Sequence, residues 1–159
     1  LEFRQKMAGS KHPWRFLAQN MSDGTLRALG VLTALFQGNK DHTPSVIGIE
    51  EPETALHPAA SAALREALTK ASQTTQVMVT SHSPELLDDR NIRPEHILAV
   101  VSEGGDTRIG PLDAASVSVM REHLFSAGEL LRLNQLRPDD VFLRNQTAAQ
   151  AELFGELAA

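Results

Sequence analysis

The residues best suited to chemistry in this chain lie where short apolar runs end. Glu50 and Glu51 directly follow the run Val46-Ile47-Gly48-Ile49, and His82 follows a second run, Gln76 to Thr80. Two neighbouring carboxylates at a strand end can hold a hydrated divalent metal and orient a water, while a histidine can donate to a phosphate oxygen. The alternative is an ordinary core strand followed by an acidic loop, with a histidine that serves only structure.

The run from Val46 to Ile49 carries no charge, which predicts a strand buried on both faces of a parallel sheet. Pro52 cannot donate to a sheet ladder, so the strand must end before it. Open α/β sheets form their ligand crevices at the carboxyl ends of strands. We therefore expect the carboxylates and His82 to share one sheet edge, with His82 within roughly 10–12 Å of Glu51, about one helix diameter.

A third candidate site is the helix start at Ser22-Asp23-Gly24-Thr25. Ser22 or Asp23 predicts an N-cap for a helix that runs to Phe36 and ends at Gly38-Asn39. The free N–H groups and positive dipole end of such a start suit a phosphate, and Gly24 would let a ligand approach the backbone. The alternative is plain helix capping.

The remaining pattern between the two apolar runs predicts one more helix. Pro58 suits its first turn, with His57 or Thr54 near the cap. Its apolar face repeats at helical spacing, through Ala60, Ala63, Leu64, Ala67, Leu68 and Ala71. Ser83 and Pro84 then predict the start of a short helix through Leu87. Strand, helix and strand in this order indicate a βαβ unit with a parallel sheet.

The other elements carry no chemistry that the sequence reveals, and residues 1–20 and 127–159 receive no role. We expect a short strand near Trp14 to Ala18, a polar turn from Lys40 to Pro44, a hairpin formed by His96 to Ser102 and Thr107 to Ile109 with its turn at Glu103-Gly104-Gly105-Asp106, short helices at Met120 to Phe125 and Glu129 to Leu133 split by Ser126-Ala127-Gly128, a turn at Arg137-Pro138-Asp139-Asp140, and a weak helix from Thr147 to Leu157.

Composition sets the limits of these interpretations. With 159 residues, 42% hydrophobic and 22% charged, the chain fits about one globular domain. A net charge of −5 argues against a DNA-binding module but allows a basic patch or a DNA-binding partner. The absence of cysteine excludes disulfides and thiolate metal sites and fits a cytoplasmic location. No apolar run is long enough to span a bilayer, and we expect no membrane association.

The motifs, taken in order, resemble the carboxyl-terminal half of ABC-type ATPase heads. S-D-G-T at a helix start is followed by a strand ending E-E-P-E, then by L-H-P, then by a strand ending S-H-S-P. The most similar branch contains SMC, RecF and OLD proteins and stand-alone ATPases classed as AAA domains, and the resemblance covers Ser22 to Leu87. It implies a P-loop NTPase-like α/β lobe with a mostly parallel sheet flanked by helices. Residues 22–88 would form the core of one partial domain, and residues 96–159 a hairpin and helical tail.

The resemblance also implies ATP and Mg²⁺ as cofactors and assigns roles to individual residues. Met21 to Thr25 would be the signature motif, with Ser22 and Gly24 on the γ-phosphate held by the opposite subunit of a head-to-head homodimer. In the Walker B strand, Glu50 would hold Mg²⁺ through water and Glu51 would orient the attacking water. His82 would be the switch histidine on the γ-phosphate.

Three features depart from that pattern. Glu50 stands where many ABC heads have Asp, and His57 stands where the D-loop, here Thr54 to His57, often has Asp. No G-x-x-x-x-G-K-[ST] motif occurs in the sequence. We therefore expect the phosphate-cradling half with Walker A to lie upstream or on another chain, and this chain alone to be inactive as an ATPase.

Two alternative functions remain. One is an OLD-like ATPase linked to a metal-dependent nuclease, because Val101 to Asp106 faintly resembles the V-E-G-x-x-D motif of a TOPRIM nuclease. A downstream D-x-D is absent, and a glycine pair between strands is more simply a hairpin turn. The other is a catalytically inactive interaction module, against which the presence of both Glu51 and His82 argues. These motifs do not identify the effector of the ATPase. DNA or an effector protein could bind through other segments.

Overall fold

The computed structural model describes residues 2–38 and 44–146 of the chain. The chain divides into two compact units, Leu1–His82 and Ser83–Ala159, so the division falls inside the stretch 22–88. None of the described helices is long and apolar enough to cross a lipid bilayer. The strands and α-helices whose two ends both lie within the described residues are, in order, β1 (Glu2–Gln5), β2 (Trp14–Leu17), α1 (Asp23–Phe36), β3 (Val46–Glu50), α2 (Ser61–Ala71), β4 (Gln76–Thr80), α3 (Pro84–Leu87), β5 (Leu98–Glu103), β6 (Asp106–Pro111), α4 (Ala114–Arg121) and α5 (Ala127–Arg132).

The strands β3 and β4 form a parallel pair, and their bounds match the two apolar runs of the sequence. Val46 lies opposite Gln76 and Glu50 lies opposite Thr80, so both strands end at the same level. The helix α2 connects them and packs on β4, while α1 packs on β3. The predicted βαβ unit is therefore confirmed, and the residues that follow both strands leave the sheet at one edge.

The sheet differs from the prediction in extent and in burial. The described strands form three two-stranded sheets, of which only β3–β4 is parallel, so a mostly parallel sheet is not found in this part of the chain. Ile47 is buried and Ile49 half-buried, but Val46 is 49% exposed and Met78 on β4 is 59% exposed. The expectation of a strand buried on both faces was wrong, because the described residues contain no layer that covers the second face. An apolar run shows what a strand can bury but not whether a partner layer is present.

The helix α1 begins as the sequence predicted. The Ser22 hydroxyl accepts from the N–H of Thr25, and Ser22 has the extended backbone of an N-cap. The helix ends at Phe36 with Gln37 as its C-cap, one residue before the predicted Gly38; the other half of that predicted stop, Asn39, lies outside the described residues. The predicted polar turn at 40–44 also lies outside them, except for Pro44.

The entry to α2 runs through a 3₁₀ turn at Pro58–Ala60. His57 caps this turn, because its Nδ1 accepts from the N–H of Ala59 at 3.2 Å. The predicted cap position and the proline in the first turn are both confirmed. Leu64 and Ala71 are buried on the apolar face that the alanine-rich spacing predicted.

The first unit begins with an antiparallel ribbon of β1 and β2. The strand near Trp14 was predicted, but β1 was not. Phe3 is the one apolar residue in its sequence Glu-Phe-Arg-Gln, so β1 has too little alternation to signal a strand. It is defined by its pairing with β2, from Glu2 opposite Leu17 to Gln5 opposite Trp14.

The second unit starts with α3, capped by Ser83 as predicted, and continues to the hairpin β5–β6. The hairpin turns at Gly104 and Gly105, both at positive φ, which glycine adopts without strain. The stretch that resembles a nuclease motif is therefore the end of β5 and this turn. His96 does not open the hairpin but ends a 3₁₀ turn, Pro94–His96.

The helices that follow were predicted with the wrong bounds. The helix α4 starts at Ala114, six residues before the predicted Met120, because the Asp113 carboxylate accepts from the N–H of Ser116 and fixes the start. Ser126 caps α5, so Ala127 and Gly128 belong to this helix instead of separating two helices. Residues 140–146 are also helical, where a turn was predicted at Asp140, while the predicted helix from Thr147 lies outside the described residues.

Packing between α3 and α5 organises the second unit. The buried Ser126 hydroxyl donates to the Asp88 carboxylate at 2.8 Å, and Arg132 contacts both Asp88 and Glu85. Hydrogen bonds from its own backbone and from Arg132 hold the pKa of Glu85 below its usual value. A small apolar core completes the unit, formed by Ala99, Leu112, Met120, Ala127 and Leu130.

Candidate functional site

The carboxylate of Glu51 and the ring of His82 meet where β3 and β4 end. His82 Nδ1 lies 3.0 Å from Glu51 Oε1. The Glu51 N–H donates to the carbonyl of Thr80 at 2.8 Å, which extends the ladder between the strands by one residue and aligns the two exits. The His82 side chain is 78% exposed and that of Glu51 is 42% exposed, so an incoming ligand can reach both.

The loop after Glu51 holds the other oxygen of the same carboxylate. The Thr54 hydroxyl donates to Glu51 Oε2 at 3.2 Å, and the Thr54 N–H donates to the Glu51 carbonyl at 3.0 Å. Glu51 itself has a φ of 42°, in the left-handed region that costs a non-glycine residue on the order of 1–2 kcal/mol. Such backbone is kept where surrounding contacts impose it, as they do around this carboxylate.

Arg27 of α1 supplies one of those contacts. Its Nη2 donates to the carbonyl of Glu50 at 2.7 Å and to the carbonyl of Glu51 at 2.9 Å. A charged donor makes stronger bonds than a neutral one, so this guanidinium fixes the backbone on both sides of Glu51. Arg27 was not predicted from the sequence, because a side chain that bonds backbone 23 residues away leaves no periodic or motif signal.

The start of α1 packs against the loop that follows Glu51. A Cβ on Gly24 would collide with the carbonyl oxygen of Ala55, a residue at a φ of 64°. The sequence led us to expect a ligand at the open side of this glycine. The structure instead places the carbonyl of Ala55 there. Ser22 remains exposed beside it, with its hydroxyl 2.8 Å from that of Thr25.

A second side-chain contact joins the segments that follow β3 and β4, and it involves Glu53 and Ser81. The Ser81 hydroxyl donates to Glu53 Oε1 at 2.5 Å, and the fully buried Pro52 precedes Glu53. The other carboxylate oxygen, Oε2, is buried without a hydrogen-bond partner among the described residues. Ser81 and Glu53 received no role from the sequence, although each is a near neighbour of His82 or Glu51 in the chain.

Glu50 occupies the position predicted to hold a metal. It lies exposed at the last position of β3, and its backbone carbonyl is bound by Arg27. The described residues contain no group of three or more acidic or histidine side chains that could hold a metal ion. One exposed carboxylate does fit a hydrated Mg²⁺, which is held in nucleotide sites by one or two carboxylates together with the phosphates of the substrate.

The structure thus brings Glu51 and His82 into direct contact and places Glu50 beside them in the chain. Arg27 connects α1, which begins next to Ser22, to the backbone of both glutamates. Gly24 is connected to the same loop through Ala55. All of these contacts lie within the first unit, Leu1–His82.

Two comparisons with known proteins bear on the fold of this chain. The family model described as an AAA domain (proposed AbiEii toxin, Type IV TA system) matches residues 13–88, just under half of the chain. A solved structure from work on the ATP-driven dimerization and DNA-stimulated activation of SMC ATPases superposes with a TM-score of 0.51. Together they support a P-loop NTPase-like fold.

The SMC structure is a distant relative in sequence. It is 21% identical to this chain, and the superposition covers 77% of this chain and 71% of the other. A search of curated proteins gives no match. The matched residues 13–88 contain every residue of the candidate site, from Ser22 to His82.

Proposed function

We propose that this chain supplies the catalytic edge of an ATP-hydrolysing head from the SMC, RecF and OLD branch of ABC-type ATPases. The observation that carries the proposal is the contact of Glu51 with His82 at the common end of two parallel strands. Phosphoryl transfer depends on positioning and charge neutralisation more than on covalent chemistry. The fixed carboxylate and the exposed imidazole at one sheet edge provide the positioning, and a bound Mg²⁺ would supply the charge neutralisation.

In this proposal Glu51 is the base that orients the attacking water and accepts its proton. One carboxylate oxygen is held by His82 and the other by Thr54, so the group is oriented before the substrate arrives. General-base catalysis of this kind contributes about 10²–10⁴-fold to a rate. The strained backbone of Glu51 is the cost of that orientation. The hydrogen bond from Arg27 to the Glu51 carbonyl helps to hold this backbone in place.

His82 can then act on the γ-phosphate through its other ring nitrogen. Because Nδ1 faces the Glu51 carboxylate, Nε2 is the atom left for a phosphate oxygen. A phosphate oxygen at Nε2 would therefore be coupled through the ring to the carboxylate of the base.

The cofactors of the proposal are ATP and Mg²⁺. Glu50 would hold the hydrated metal, which when bound neutralises charge on the phosphates. Ser22 and the N–H of Gly24, at the start of α1, would contact the γ-phosphate bound by the opposite subunit of a head-to-head homodimer. Asp23 lies in the same first turn and opposes an anion, so the contact depends on these two neutral groups.

The phosphate-cradling loop of the head would come from a segment outside these 159 residues, because the sequence contains no G-x-x-x-x-G-K-[ST] motif. We refer to this chain together with that segment as the assembled head. In the assembled head ATP binding depends on the loop and the metal, whereas hydrolysis depends on Glu51 and His82.

The test is the size of the assembled head in the presence of Mg-ATP. Glu51→Gln keeps the shape of the side chain and removes the base, so ATP should accumulate and trap the dimer. Ser22→Arg places a bulky cation at the start of α1 and should bind ATP without dimerising. Glu66→Gln, an exposed change on α2, is the matched control and should behave as the parent. If the Ser22→Arg protein still dimerises, the start of α1 serves only as a helix cap and does not contact the nucleotide.

A further inference from the structure

Three contacts in succession join the segment after β3 to the segment after β4. The N–H of Glu51 donates to the carbonyl of Thr80 at 2.8 Å. The Ser81 hydroxyl donates to Glu53 Oε1 at 2.5 Å, and His82 Nδ1 lies 3.0 Å from Glu51 Oε1. The consecutive residues Thr80, Ser81 and His82 are therefore each tied to the segment that carries the proposed base.

The two segments are held in different ways. On the β3 side, the fully buried Pro52 and the hydrogen bonds from Arg27 hold the backbone. On the β4 side, the side chain of His82 is 78% exposed, so few atoms surround its ring. The position of the ring then depends on its backbone, and the bond from Ser81 to Glu53 fixes the residue directly before it.

The carboxylate of Glu53 lies in an environment that is unfavourable for it. Its Oε2 is buried without a hydrogen-bond partner among the described residues, while its Oε1 accepts from Ser81. A buried acceptor without a donor costs free energy, and an apolar side chain of similar size would avoid that cost. Such an atom in a folded protein calls for a reason other than stability.

We infer that Glu53 is a positioning residue for His82 and acts through Ser81. Its bond to the Ser81 hydroxyl fixes the backbone from which the ring reaches the Glu51 carboxylate. The acceptor oxygen of Glu53 and the hydroxyl of Ser81 are the two groups that this role requires. The effect on hydrolysis rests on the proposed function, but the placement of the His82 ring can be measured without ATP.

The tautomer of the His82 ring reports its contact with Glu51. A carboxylate only accepts hydrogen bonds, so a neutral ring held in this contact carries its proton on Nδ1. A free neutral imidazole prefers the proton on the other nitrogen. His57 is an internal reference of the opposite kind, because its Nδ1 accepts from the N–H of Ala59 and must lack a proton.

Nitrogen-15 spectra of the histidine-labelled 159-residue chain, recorded without nucleotide at a pH where both rings are neutral, distinguish the two tautomers. The variants His82→Gln and His57→Gln identify the two signals. In the parent chain we expect His82 with its proton on Nδ1 and His57 with its proton on Nε2.

Two variants remove the bond from opposite sides. Glu53→Leu removes the acceptor together with the unpaired oxygen, so its Tm should stay the same or rise. Ser81→Ala leaves the whole carboxylate without its hydroxyl donor, so its Tm should fall. In both variants the His82 proton should move toward Nε2 while the His57 signal stays in place. A role in stability alone would not shift the tautomer in the same direction when the Tm changes in opposite directions.

Conservative variants and a matched control complete the set. Ser81→Thr keeps a hydroxyl and Glu53→Gln keeps an acceptor oxygen, so both should retain the parent tautomer of His82. Glu66→Leu makes the same change at an exposed position of α2 and should have no effect on it. In the assembled head, Glu53→Leu and Ser81→Ala should lower the rate of hydrolysis by about tenfold or more with the KM for ATP near the parent value.

Two results would overturn the inference. One is a parent chain in which the neutral His82 ring carries its proton on Nε2. The other is a Glu53→Leu or Ser81→Ala variant that keeps the His82 proton on Nδ1. If one variant loses the His57 signal and with it the fold, the other variant decides. A tautomer that shifts as expected, in a chain whose assembled head hydrolyses no ATP, would uphold the positioning of His82 and contradict the proposed function instead.

Discussion

At the scale of single residues, the site consists of one carboxylate held from several directions. Glu51 contacts His82 through one oxygen and Thr54 through the other, and its backbone is bound by Thr80 and Arg27. A side chain fixed in this way loses little further entropy when a substrate binds, which is the condition for effective positioning. The exposed His82 is the part of the site that remains free to meet a ligand.

His82→Ala should slow ATP hydrolysis by the assembled head by about 10²-fold, the effect expected when one donor to the developing charge is removed. The affinity for ATP should change little, because it depends on the phosphate loop and the metal. Single-turnover hydrolysis and equilibrium nucleotide binding measure the two effects separately. His96→Ala, a histidine change in the second unit, is the control. A loss of affinity equal to the loss of rate would show that His82 serves ground-state binding.

At the scale of elements, α1 is joined to the end of β3 and to the loop after it by direct contacts. Arg27 donates to the backbone carbonyls of both glutamates, and Gly24 allows the loop after them to lie against the helix start. A displacement of α1 by a ligand at Ser22 would therefore move the backbone of Glu50 and Glu51. In the proposed dimer, this connection would link the nucleotide bound by the partner subunit to the position of the Glu51 carboxylate.

Arg27→Met keeps roughly the length of the side chain and removes both hydrogen bonds to the glutamate carbonyls. Hydrolysis by the assembled head should fall by about tenfold while the KM for ATP stays near the parent value, because a positioning group has been lost and not a binding group. Thermal unfolding should show a loss of about 1–2 kcal/mol. Arg27→Lys keeps the charge and an N–H donor and should recover part of the rate, and Arg108→Met is the neutral control. An unchanged rate together with a lower Tm would limit Arg27 to a structural role.

These elements also show how far the sequence could be interpreted. Strands β3 and β4 and the cap of α1 were predictable, because apolar runs and capping residues act locally. The start of α4 was not, since Ala-Ala-Ser-Val-Ser-Val has no helical period and the helix depends on the Asp113 cap. Arg27 and the contact of Glu53 with Ser81 were missed for another reason: both join residues that are distant in the chain, and no local pattern records them.

At the scale of the whole molecule, the chain divides into two units. The first contains every residue of the candidate site, and the second contains α3, α4 and α5 with the hairpin β5–β6. The parallel sheet that carries the edge has only two described strands, so the site has little sheet to support it.

The 159-residue chain on its own should bind Mg-ATP poorly and hydrolyse none. It contains the carboxylates and the histidine but no glycine-rich loop ending in Lys-Ser or Lys-Thr to cradle the phosphates. Isothermal calorimetry should detect no binding in the low micromolar range. Tight binding by the chain alone would mean that its nucleotide site lies somewhere other than at the edge described above.

The central claim is that Glu51 is the base at a nucleotide site completed by His82. The most direct measurement is the single-turnover rate of ATP hydrolysis by the assembled head with Glu51→Gln, recorded beside its equilibrium affinity for ATP. We predict a fall in rate of about 10²–10⁴-fold with unchanged affinity, while Glu66→Gln hydrolyses as the parent does. Hydrolysis by Glu51→Gln at the parent rate would contradict the account, because the base would then be Glu50 or another group.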